Sequence, residues 1–332
     1  MPIRIGLNGF GRIGRYLIRL VAAAPDIELA VINARADNAA LAHMLKYDSV
    51  HGHFPFPVSA TDTGLSINGR DVPVTRKPTG EWDWAEYGAG LVVESTGTIK
   101  TREAAAEHLK RGAGKVVVSA PMNDADAMIV MGVNHDVYNP AGHDVVSAAS
   151  CTTNCLAPVA KVIAESFGVR HGLMTTIHSY TMTQRMLDGS HKDIRRSRAA
   201  AMSMIPTKTG AARAIGTVCP ALLGKLDGMA VRVPTPDVSL VDLTVELERA
   251  TDAAAVNAAL KAASAGALRD NMGYSEEPLV SVDYVGSTYG GVVDSLLTRV
   301  MDGTMLKLIV WYDNEAGFTN QLFRLVRLVG SR

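Results

Sequence analysis

The chain has 332 residues, of which 33 are basic, 33 are acidic and three are cysteines. The length suggests two domains, and the balanced charge does not favour nucleic acid or an anionic membrane as a partner. Because three cysteines cannot form a disulfide framework and no apolar run approaches the roughly 18 residues of a membrane span, we expect a soluble cytoplasmic protein.

The first part of the chain carries a strand, a glycine-rich turn, a helix and a second strand. Residues 3–7 alternate as a strand does, helical spacing follows the turn, and residues 28–32 form another apolar run. The turn contains Gly9, Gly11 and Gly14, the spacing Gly-x-Gly-x-x-Gly. In this context the glycines permit a tight turn, close approach of the backbone to a pyrophosphate, and an anion at the helix start. We therefore predict a dinucleotide site; without this context the glycines would fit an ordinary turn.

The expected cofactor depends on the end of the second strand. An acidic residue about 20 positions after the glycines usually binds the adenosine ribose, but this chain has Asn33, Ala34 and Arg35 there. No carboxylate repels a 2′-phosphate at Ala34, and the Arg35 guanidinium could attract one. The chain is therefore expected to use NADP, or both NAD and NADP. Alternatively, Arg35 is a solvated surface charge.

Strand and helix patterns continue to alternate through the first half of the chain. Near-continuous apolar strands of this kind predict a parallel sheet covered by helices on both faces. Thr96, Gly97 and Ser119 follow the carboxyl ends of strands, where such sheets bind ligands. We predict a Rossmann-type, doubly wound, parallel dinucleotide-binding domain over residues 1–150, with strands at 91–94, 115–118 and 128–131 and a helix at 101–110.

Cys151 is the candidate nucleophile. It lies between hydroxyl residues, after an apolar strand and before a helical pattern, which places it in the first turn of a helix. The unpaired N–H groups and the dipole of that turn favour an anion. We therefore expect a larger thiolate fraction than the few per cent that a pKa of about 8.5 gives at neutral pH. The alternative is a small buried hydrophobic residue, which is our interpretation of Cys155.

The second half has longer alternating strands and predicts an α+β catalytic domain with a mixed or antiparallel sheet over residues 151–314. His178 ends one of these strands, 27 residues after Cys151. An imidazole beside an activated thiol can hold the thiolate and transfer a proton, although a single histidine is more often structural. His43, His51 and His53 lack a suitably spaced set of cysteines or acids, so we interpret them as ordinary loop histidines and predict no metal site.

Four cations occur within residues 192–198. They could bind phosphate, pair with acids at a subunit interface, or form a nucleic-acid patch, although no aromatic stacking pattern accompanies them. Further hydroxyl, backbone and guanidinium donors in this half could build two anion pockets, and these are Thr181, Thr183, Thr209, Gly210 and Arg232.

Taken together, these motifs resemble those of phosphorylating glyceraldehyde-3-phosphate dehydrogenases, over nearly the whole chain. The motif SAASCTTNC at residues 147–155 is highly specific, whereas the glycine motif NGFGRIGR at 8–15 would not be specific alone. The other matching motifs are KYDS at 46–49, TGAA at 209–212, RVPT at 232–235 and WYDNE at 311–315.

The resemblance implies a glycolytic activity of carbohydrate metabolism. D-glyceraldehyde 3-phosphate, NAD(P) and inorganic phosphate would give 1,3-bisphosphoglycerate, or the reverse, through a thioester on Cys151 assisted by His178. Thr181 and Arg232 would hold the substrate phosphate. The attacking phosphate and the reacting carbon would contact Ser150, Thr152, Arg196, Thr209 and Gly210. The predicted cofactor contacts include the residues already named in the glycine turn and after the second strand. The full set is Gly9, Phe10, Gly11, Arg12, Ile13, Asn33, Arg35, Arg76, Thr96, Gly97, Ser119, Ser190 and Asn314.

The resemblance also implies an assembly. The family usually forms homotetramers, in which the loop containing residues 195–198 reaches a neighbouring subunit's cofactor site. The last helix, within residues 315–332, would return to pack on the dinucleotide-binding domain.

The chain departs from the family's NAD-type pattern in three places. Ala34 stands where an aspartate is usual, and Gly189 and Ser190 replace a leucine–proline pair. Small residues with a serine are similar to the NADP-using photosynthetic members, whose serine bonds the 2′-phosphate, so we predict that NADP is accepted. The third departure is Ala316, where an aromatic residue is usual beside the nicotinamide.

Two other functions are weighed against this one. Erythrose-4-phosphate dehydrogenase shares the nucleophile and the hydride chemistry, but its relatives typically lack the Thr209-Gly210 pair of this chain. A protein of another class would bind the cofactor and use Cys151 as a redox sensor, or its arginine-rich loop to bind RNA. The balanced charge and the set of phosphate donors disfavour that as the main role.

Overall fold

The computed structural model describes residues 1–332, and the chain divides into two compact units. Unit 1 comprises residues 1–129, 135–149 and 322–332, and unit 2 comprises residues 130–134 and 150–321. Each unit contains one large sheet with helices, which confirms the predicted α/β fold class. None of the helices combines the length and apolar character needed to cross a membrane.

The sheet of unit 1 has nine strands in the order β10-β11-β9-β8-β1-β2-β7-β6-β5. Its strands are β1 (Ile3–Asn8), β2 (Ile27–Asn33), β5 (Val58–Ala60), β6 (Gly64–Ile67), β7 (Arg70–Thr75), β8 (Leu91–Glu94), β9 (Lys115–Val118), β10 (Ala127–Met128) and β11 (Val145–Ser147), beside a small separate pair, β3 (Tyr47–Asp48) and β4 (Gly52–His53). The helices of this unit are α1 (Arg12–Ala23), α2 (Asn38–Lys46) and α3 (Arg102–Lys110).

Parallel pairing runs without interruption from β10 to β7, because apolar strands buried on both faces alternate with helical connections. The strand order reverses between β1 and β8, and the carboxyl ends of these two strands are therefore the expected ligand crevice. Asn8 and Glu94 end these two strands and pair in register. The Rossmann-type parallel sheet is thus as predicted.

Three details of unit 1 differ from the sequence prediction. The antiparallel strands β5 and β6, which extend the sheet beyond β7, were not predicted, because strands of three and four residues are too short to show a periodic pattern and are fixed by pairing. The strand predicted at residues 128–131 is wrong in extent, since β10 ends at Met128. His43, expected in a loop, lies in α2.

Unit 2 contains a mixed sheet in the order β13-β14-β12-β15-β19-β17-β16, with β18 paired to β19. Its strands are β12 (Val169–Ser179), β13 (Ile205–Lys208), β14 (Leu226–Val233), β15 (Ser239–Leu247), β16 (Met272–Ser275), β17 (Gly291–Asp294), β18 (Arg299–Met301) and β19 (Met305–Tyr312). Its helices are α4 (Cys151–Phe167), α5 (Ala211–Val218), α6 (Ala253–Ala265) and the first turns of α7 (Ala316–Gly330).

Short 3₁₀ turns complete the secondary structure, and they are His135–Val137, Ile194–Ser197, Pro220–Leu222, Ser281–Tyr284 and Ser295–Leu297. The last turns of α7 belong to unit 1, where the Arg327 guanidinium donates to both carboxylate oxygens of Asp26, at 2.7 and 2.8 Å. The chain therefore ends within the unit in which it begins.

Candidate active site

The turn before α4 presents Cys151 at a helix start. Ala149 has φ = 59°, a left-handed conformation that is uncommon for a residue other than glycine. Ser150 then caps the helix, since its Oγ accepts from the backbone N–H of Thr153 at 3.0 Å. Cys151 is the first helical residue, which confirms the predicted helix start.

His178 lies beside the sulfur. Its Nε2 is 3.5 Å from Cys151 Sγ. Strands β12 and β14 run parallel and place His178 directly opposite Arg232, whose Nη1 lies 2.8 Å from His178 Nδ1 and donates to the carbonyl of Ser179 at 2.8 Å. Cys151, His178 and Arg232 therefore form one cluster, although 81 positions separate the first from the last (232 − 151).

Burial sets the protonation of this cluster. It lowers the pKa of His178 to about 3, with help from the positive charge of Arg232. Burial also raises the pKa of the Cys151 thiol, although the Arg232 charge and hydrogen bonds from Thr152 act in the opposite direction. Both shifts favour the uncharged forms of the unliganded pair, because a buried ion pair loses hydration. The direction of the Cys151 pKa shift is therefore opposite to the one expected from the helix start alone.

The low pKa of His178 predicts a pH effect on stability. In the unfolded chain this histidine binds a proton near pH 6.5, but in the folded chain it does so only near pH 3. Its contribution to the free energy of unfolding is therefore complete above about pH 6.5 and is lost as the pH falls towards 3. We expect urea denaturation to show a smaller loss of stability between pH 7 and 5 in His178→Asn than in the wild type. Equal losses in the two proteins would contradict the buried neutral histidine.

Tyr312 is a further component of the site. It belongs to the motif WYDNE, but its role was not predicted from the sequence. Its hydroxyl is hydrogen-bonded to Thr152 Oγ1 at 2.9 Å and to Thr176 Oγ1 at 2.8 Å, and its ring meets the His178 ring edge-on at 5.9 Å between centroids. Burial raises the pKa of Tyr312 well above its usual value, so it remains a neutral phenol. The tyrosine therefore connects the residue after Cys151 to the strand that carries His178.

Arg232 is a half-buried cation whose guanidinium donates to the Ser179 carbonyl and lies beside the His178 ring, with no carboxylate partner. Its Nε is buried without a hydrogen-bond partner. A buried guanidinium in this state is costly unless an anion compensates it. This side chain is therefore suited to bind an anionic group of a ligand next to His178 and Cys151.

The other predicted anion-binding residues occupy the loops of unit 2. Arg196 donates to Thr207 Oγ1 at 2.9 Å and lies 3.8 Å from the Asp193 carboxylate, so it is already partly compensated. Thr181 Oγ1 is hydrogen-bonded to Thr183 Oγ1 at 2.9 Å in the loop after β12. Gly210, at the N-terminus of α5, is exposed and has open space where a Cβ would stand, and Thr209 precedes it.

Two predicted cofactor contacts also belong to unit 2. Asn314 is buried, and its Oδ1 accepts from the hydroxyls of Ser179 and Ser239 at 2.8 and 2.7 Å, which fixes the direction of its amide nitrogen. Ser190 is exposed, and its carbonyl accepts two hydrogen bonds from Arg185 at 2.9 and 2.7 Å. Both backbone positions are therefore well defined.

The glycine turn of unit 1 fits a pyrophosphate. Gly9 has φ = +107°, and a Cβ there would lie 2.8 Å from the backbone of Ser95 and Thr96. A Cβ on Gly14 would lie 2.3 Å from the carbonyl oxygen of Gly9. Gly11 caps α1 without a side-chain bond and faces open space, and no acidic residue occupies the first turn. Helix N–H groups are thus left available to an anion.

The remaining predicted cofactor residues surround this turn. Phe10 and Ile13 are half-buried beside it, and Arg12 forms a two-point ion pair with Asp48. Asn33 is buried at the end of β2, and Arg35 is exposed two positions later. The others lie at or beyond carboxyl ends of strands: Arg76, which donates to the carbonyl of Ala36 at 2.7 Å, Thr96, Gly97 and Ser119.

A Rossmann-type unit with an open glycine turn and a second unit with a cysteine–histidine pair define a dinucleotide-dependent oxidoreductase. Residues 3–102 match the family described as the glyceraldehyde 3-phosphate dehydrogenase NAD binding domain, and residues 150–314 match the C-terminal domain of the same enzyme. The chain therefore belongs to the glyceraldehyde-3-phosphate dehydrogenase family of NAD-dependent oxidoreductases.

Relatives extend the similarity to the whole chain. Glyceraldehyde-3-phosphate dehydrogenase of Geobacillus stearothermophilus is 53% identical over 333 residues, covering 100% of this chain and 99% of the relative. Glyceraldehyde-3-phosphate dehydrogenase 1 of Bacillus subtilis is 51% identical with the same coverage. Glyceraldehyde-3-phosphate dehydrogenase A of Escherichia coli is 47% identical over 98% of each chain. The predicted family is thus confirmed.

Proposed function

We propose that the chain oxidises D-glyceraldehyde 3-phosphate with NAD(P) and inorganic phosphate to 1,3-bisphosphoglycerate, and also catalyses the reverse reduction. The observation that carries this proposal is the position of the Cys151 thiol. It lies 3.5 Å from His178 Nε2, in one cluster with the Arg232 guanidinium, whose buried Nε has no hydrogen-bond partner. The names of relatives at about 50% identity support the same substrate.

Cys151 is the proposed nucleophile and His178 the proposed base. The sulfur bonds to the aldehyde carbon while the thiol proton passes to Nε2 and then to the former carbonyl oxygen, which gives a hemithioacetal. For Nε2 to accept that proton, Nδ1 must carry the ring proton, which it donates to the Ser179 carbonyl at 2.7 Å. The pKa of about 3 leaves Nε2 unprotonated at neutral pH in the unliganded site. An anionic substrate group beside Arg232 would offset the charge that lowers this pKa and so raise the basicity of His178.

The thioester then forms and is cleaved. His178 takes the hydroxyl proton of the hemithioacetal as a hydride leaves its carbon; the bound nicotinamide supplies the hydride acceptor. An oxygen of inorganic phosphate next bonds to the acyl carbon, the carbon–sulfur bond breaks, and the sulfur takes back its proton from His178. Because the acyl group stays on sulfur between the two steps, the energy of oxidation is retained in the acyl phosphate.

The anions are proposed to bind at two groups of residues. Arg232 and Thr181 would hold the phosphate of the substrate, and the guanidinium next to His178 would then be compensated. Ser150, Thr152, Arg196, Thr209 and Gly210 would hold the attacking phosphate and the reacting carbon. Fixed anions at both places would set the reacting carbon at attack distance from the sulfur.

The dinucleotide is proposed to bind at the carboxyl ends of the unit 1 strands. The open N-terminus of α1 at Gly11 would receive the pyrophosphate. The adenosine ribose would lie near Asn33, Arg35 and Arg76, at the ends of β2 and β7. The other contacts proposed are Gly9, Phe10, Arg12, Ile13, Thr96, Gly97, Ser119, Ser190 and Asn314.

We expect the wild type to turn over NADP as well as NAD. Ala34 places no carboxylate at the end of β2, and Arg35 is exposed nearby. Replacing Ala34 with aspartate should therefore lower kcat/KM for NADP by about tenfold or more while changing that for NAD little, because a carboxylate repels the 2′-phosphate. Arg70→Ala, which removes an exposed cation at the start of β7, is the control. Failure of the wild type to turn over NADP would refute the prediction.

The substrate is tested by comparing two aldehydes. Phosphate-dependent reduction of NAD should be faster with glyceraldehyde 3-phosphate than with erythrose 4-phosphate, and the opposite order would favour an erythrose-4-phosphate dehydrogenase. Thr209 and Gly210 support the first substrate. A redox-sensing or RNA-binding main role would gain support if the chain lacked both turnovers.

We also propose a homotetramer. In a monomer, the segment from 181 to 204 would leave several large apolar side chains in contact with water. These are Met182, Met186, Leu187, Ile194, Met202 and Met204. A second copy of the chain would cover them, with the loop at 195–198 near the neighbour's cofactor site. Sedimentation at equilibrium tests this, since a monomer would contradict it.

A further inference from the structure

A chain of buried hydrogen bonds crosses unit 1 under the glycine turn, and the chemistry proposed for Cys151 does not use it. It joins the carboxyl ends of four parallel strands, β7, β2, β1 and β8, to helix α3. Its members, called here the hydrogen-bond chain, are the Lys77 backbone, Asn33, Asn8, Glu94, His108 and Trp84. Each of the five side chains is at most 9% exposed.

One end of the hydrogen-bond chain fixes the direction of its amides. Asn33 Oδ1 accepts from the Lys77 N–H at 2.9 Å, and Asn33 Nδ2 donates to the Lys77 carbonyl at 3.1 Å, so this amide has one possible orientation. The same Nδ2 donates to Asn8 Oδ1 at 2.8 Å. Asn8 must therefore present its Nδ2 to Glu94, whose Oε2 accepts it at 2.5 Å.

The other end fixes the histidine. The Trp84 indole N–H can only donate, and it donates to His108 Nδ1 at 3.0 Å. The ring proton of the neutral imidazole is therefore on Nε2, which lies 3.2 Å from Glu94 Oε2. Donors thus point towards Glu94 from both directions, and Glu94 is the common acceptor.

Glu94 also holds the ligand-facing loop. Its Oε1 accepts from the Thr96 N–H at 2.8 Å and from the Thr96 hydroxyl. The Thr96 nitrogen lies against Gly9, since a Cβ built there would be 2.8 Å away. The four donors converge on a carboxylate that no lysine or arginine pairs within 4.0 Å. One buried side chain therefore ties the strand end before Gly9 to the loop that begins at Thr96.

We propose that Glu94 is a positioning residue for dinucleotide binding, which acts through Asn8 and Thr96 on the glycine turn and on the loop at residues 96–97. The proposal rests on the proposed cofactor site. A glutamine cannot replace this carboxylate, because its NH₂ group would face donors in either orientation. Reorienting Asn8 to compensate would transfer the conflict to Asn33, which the Lys77 backbone fixes.

The test is the dissociation constant of NAD, measured by calorimetry on the full chain. Glu94→Gln should raise it by about tenfold or more and raise KM for NAD, with kcat at saturating NAD within about twofold. Alkylation of Cys151 by iodoacetamide, without cofactor, should proceed at the wild-type rate. Glu107→Gln is the matched control and should bind NAD normally, because Glu107 is a half-buried carboxylate next to His108 in α3 that pairs with Lys110 and lies outside the hydrogen-bond chain.

A rescue separates positioning from general destabilisation. In the variant Asn8→Asp/Glu94→Gln the carboxylate moves one residue along the hydrogen-bond chain, where it accepts from Asn33 and from the amide nitrogen of the new side chain at position 94. This removes the conflict with residue 8 and leaves the one between that amide nitrogen and the His108 Nε2–H. Part of the lost NAD affinity should return. Unchanged affinity in Glu94→Gln, or an exchange variant no better than Glu94→Gln, would overturn the proposal.

Two further outcomes are distinguishable. If Glu94→Gln does not fold, Trp84→Phe takes its place. This variant removes the indole N–H that fixes the His108 tautomer, and it should weaken NAD binding about threefold. Unchanged NAD binding in Trp84→Phe would overturn the proposal. A wild type that binds NAD but fails to oxidise glyceraldehyde 3-phosphate would contradict the proposed function alone. A wild type that binds no NAD would contradict both.

Discussion

Replacing Cys151 with alanine is expected to lower the rate of glyceraldehyde 3-phosphate oxidation by roughly 10⁴-fold or more, because no other group can form the thioester. Cys155 cannot substitute, since it is fully buried and burial raises its pKa well above the usual value. The measurement is NAD reduction in the presence of phosphate, with calorimetric NAD affinity as a check that the variant is folded.

Cys219→Ala is the matched control for this prediction. Cys219 is a free and partly exposed thiol on the connection between α5 and β14, and its loss should leave activity unchanged. A Cys151→Ala protein that kept full dehydrogenase activity would refute the covalent mechanism. It would also revive the view that this cysteine serves as a redox sensor.

His178→Asn is expected to lower kcat by about 10²–10⁴-fold, the usual contribution of a positioned general base. The native histidine has an unprotonated Nε2 3.5 Å from the sulfur throughout the neutral range, and an asparagine offers no such base. The loss should shrink at alkaline pH, where hydroxide ionises the Cys151 thiol without the base. Rates measured from pH 6 to 10 give this dependence.

His171→Asn provides the control on the same strand. His171 lies seven positions earlier in β12, is exposed, and is placed in no site (178 − 171). Its replacement should leave the pH profile of the wild type unchanged. If His178→Asn and His171→Asn had equal activity, the assignment of His178 as the base would be wrong.

Local patterns predicted the parts of the fold that local physics determines. The glycine turn leads from β1 into α1, and the hydroxyl of Ser150 caps the helix that Cys151 begins. Apolar runs such as residues 91–94 and 115–118 became buried parallel strands with the predicted bounds. In each case the few neighbouring residues that show the sequence pattern also make the contacts that form the element.

Features that depend on distant pairing were not predictable in this way. His178 meets Arg232 only because β12 and β14 pair in parallel in one register. The direction of the Cys151 pKa shift depends on burial, which a helix-start argument does not include. Glu94 offered one overlooked signal, a charged residue at the end of an otherwise apolar strand, but its partners Asn8 and His108 come from other elements.

The most direct test of the central claim is to trap the acyl group. The protein is mixed with glyceraldehyde 3-phosphate and NAD without phosphate, quenched in acid, and examined by intact and peptide mass spectrometry. We expect one 3-phosphoglyceroyl adduct per chain, located on Cys151, which disappears when phosphate is added before the quench. Absence of an adduct while NAD is reduced, or an adduct on another residue, would contradict it.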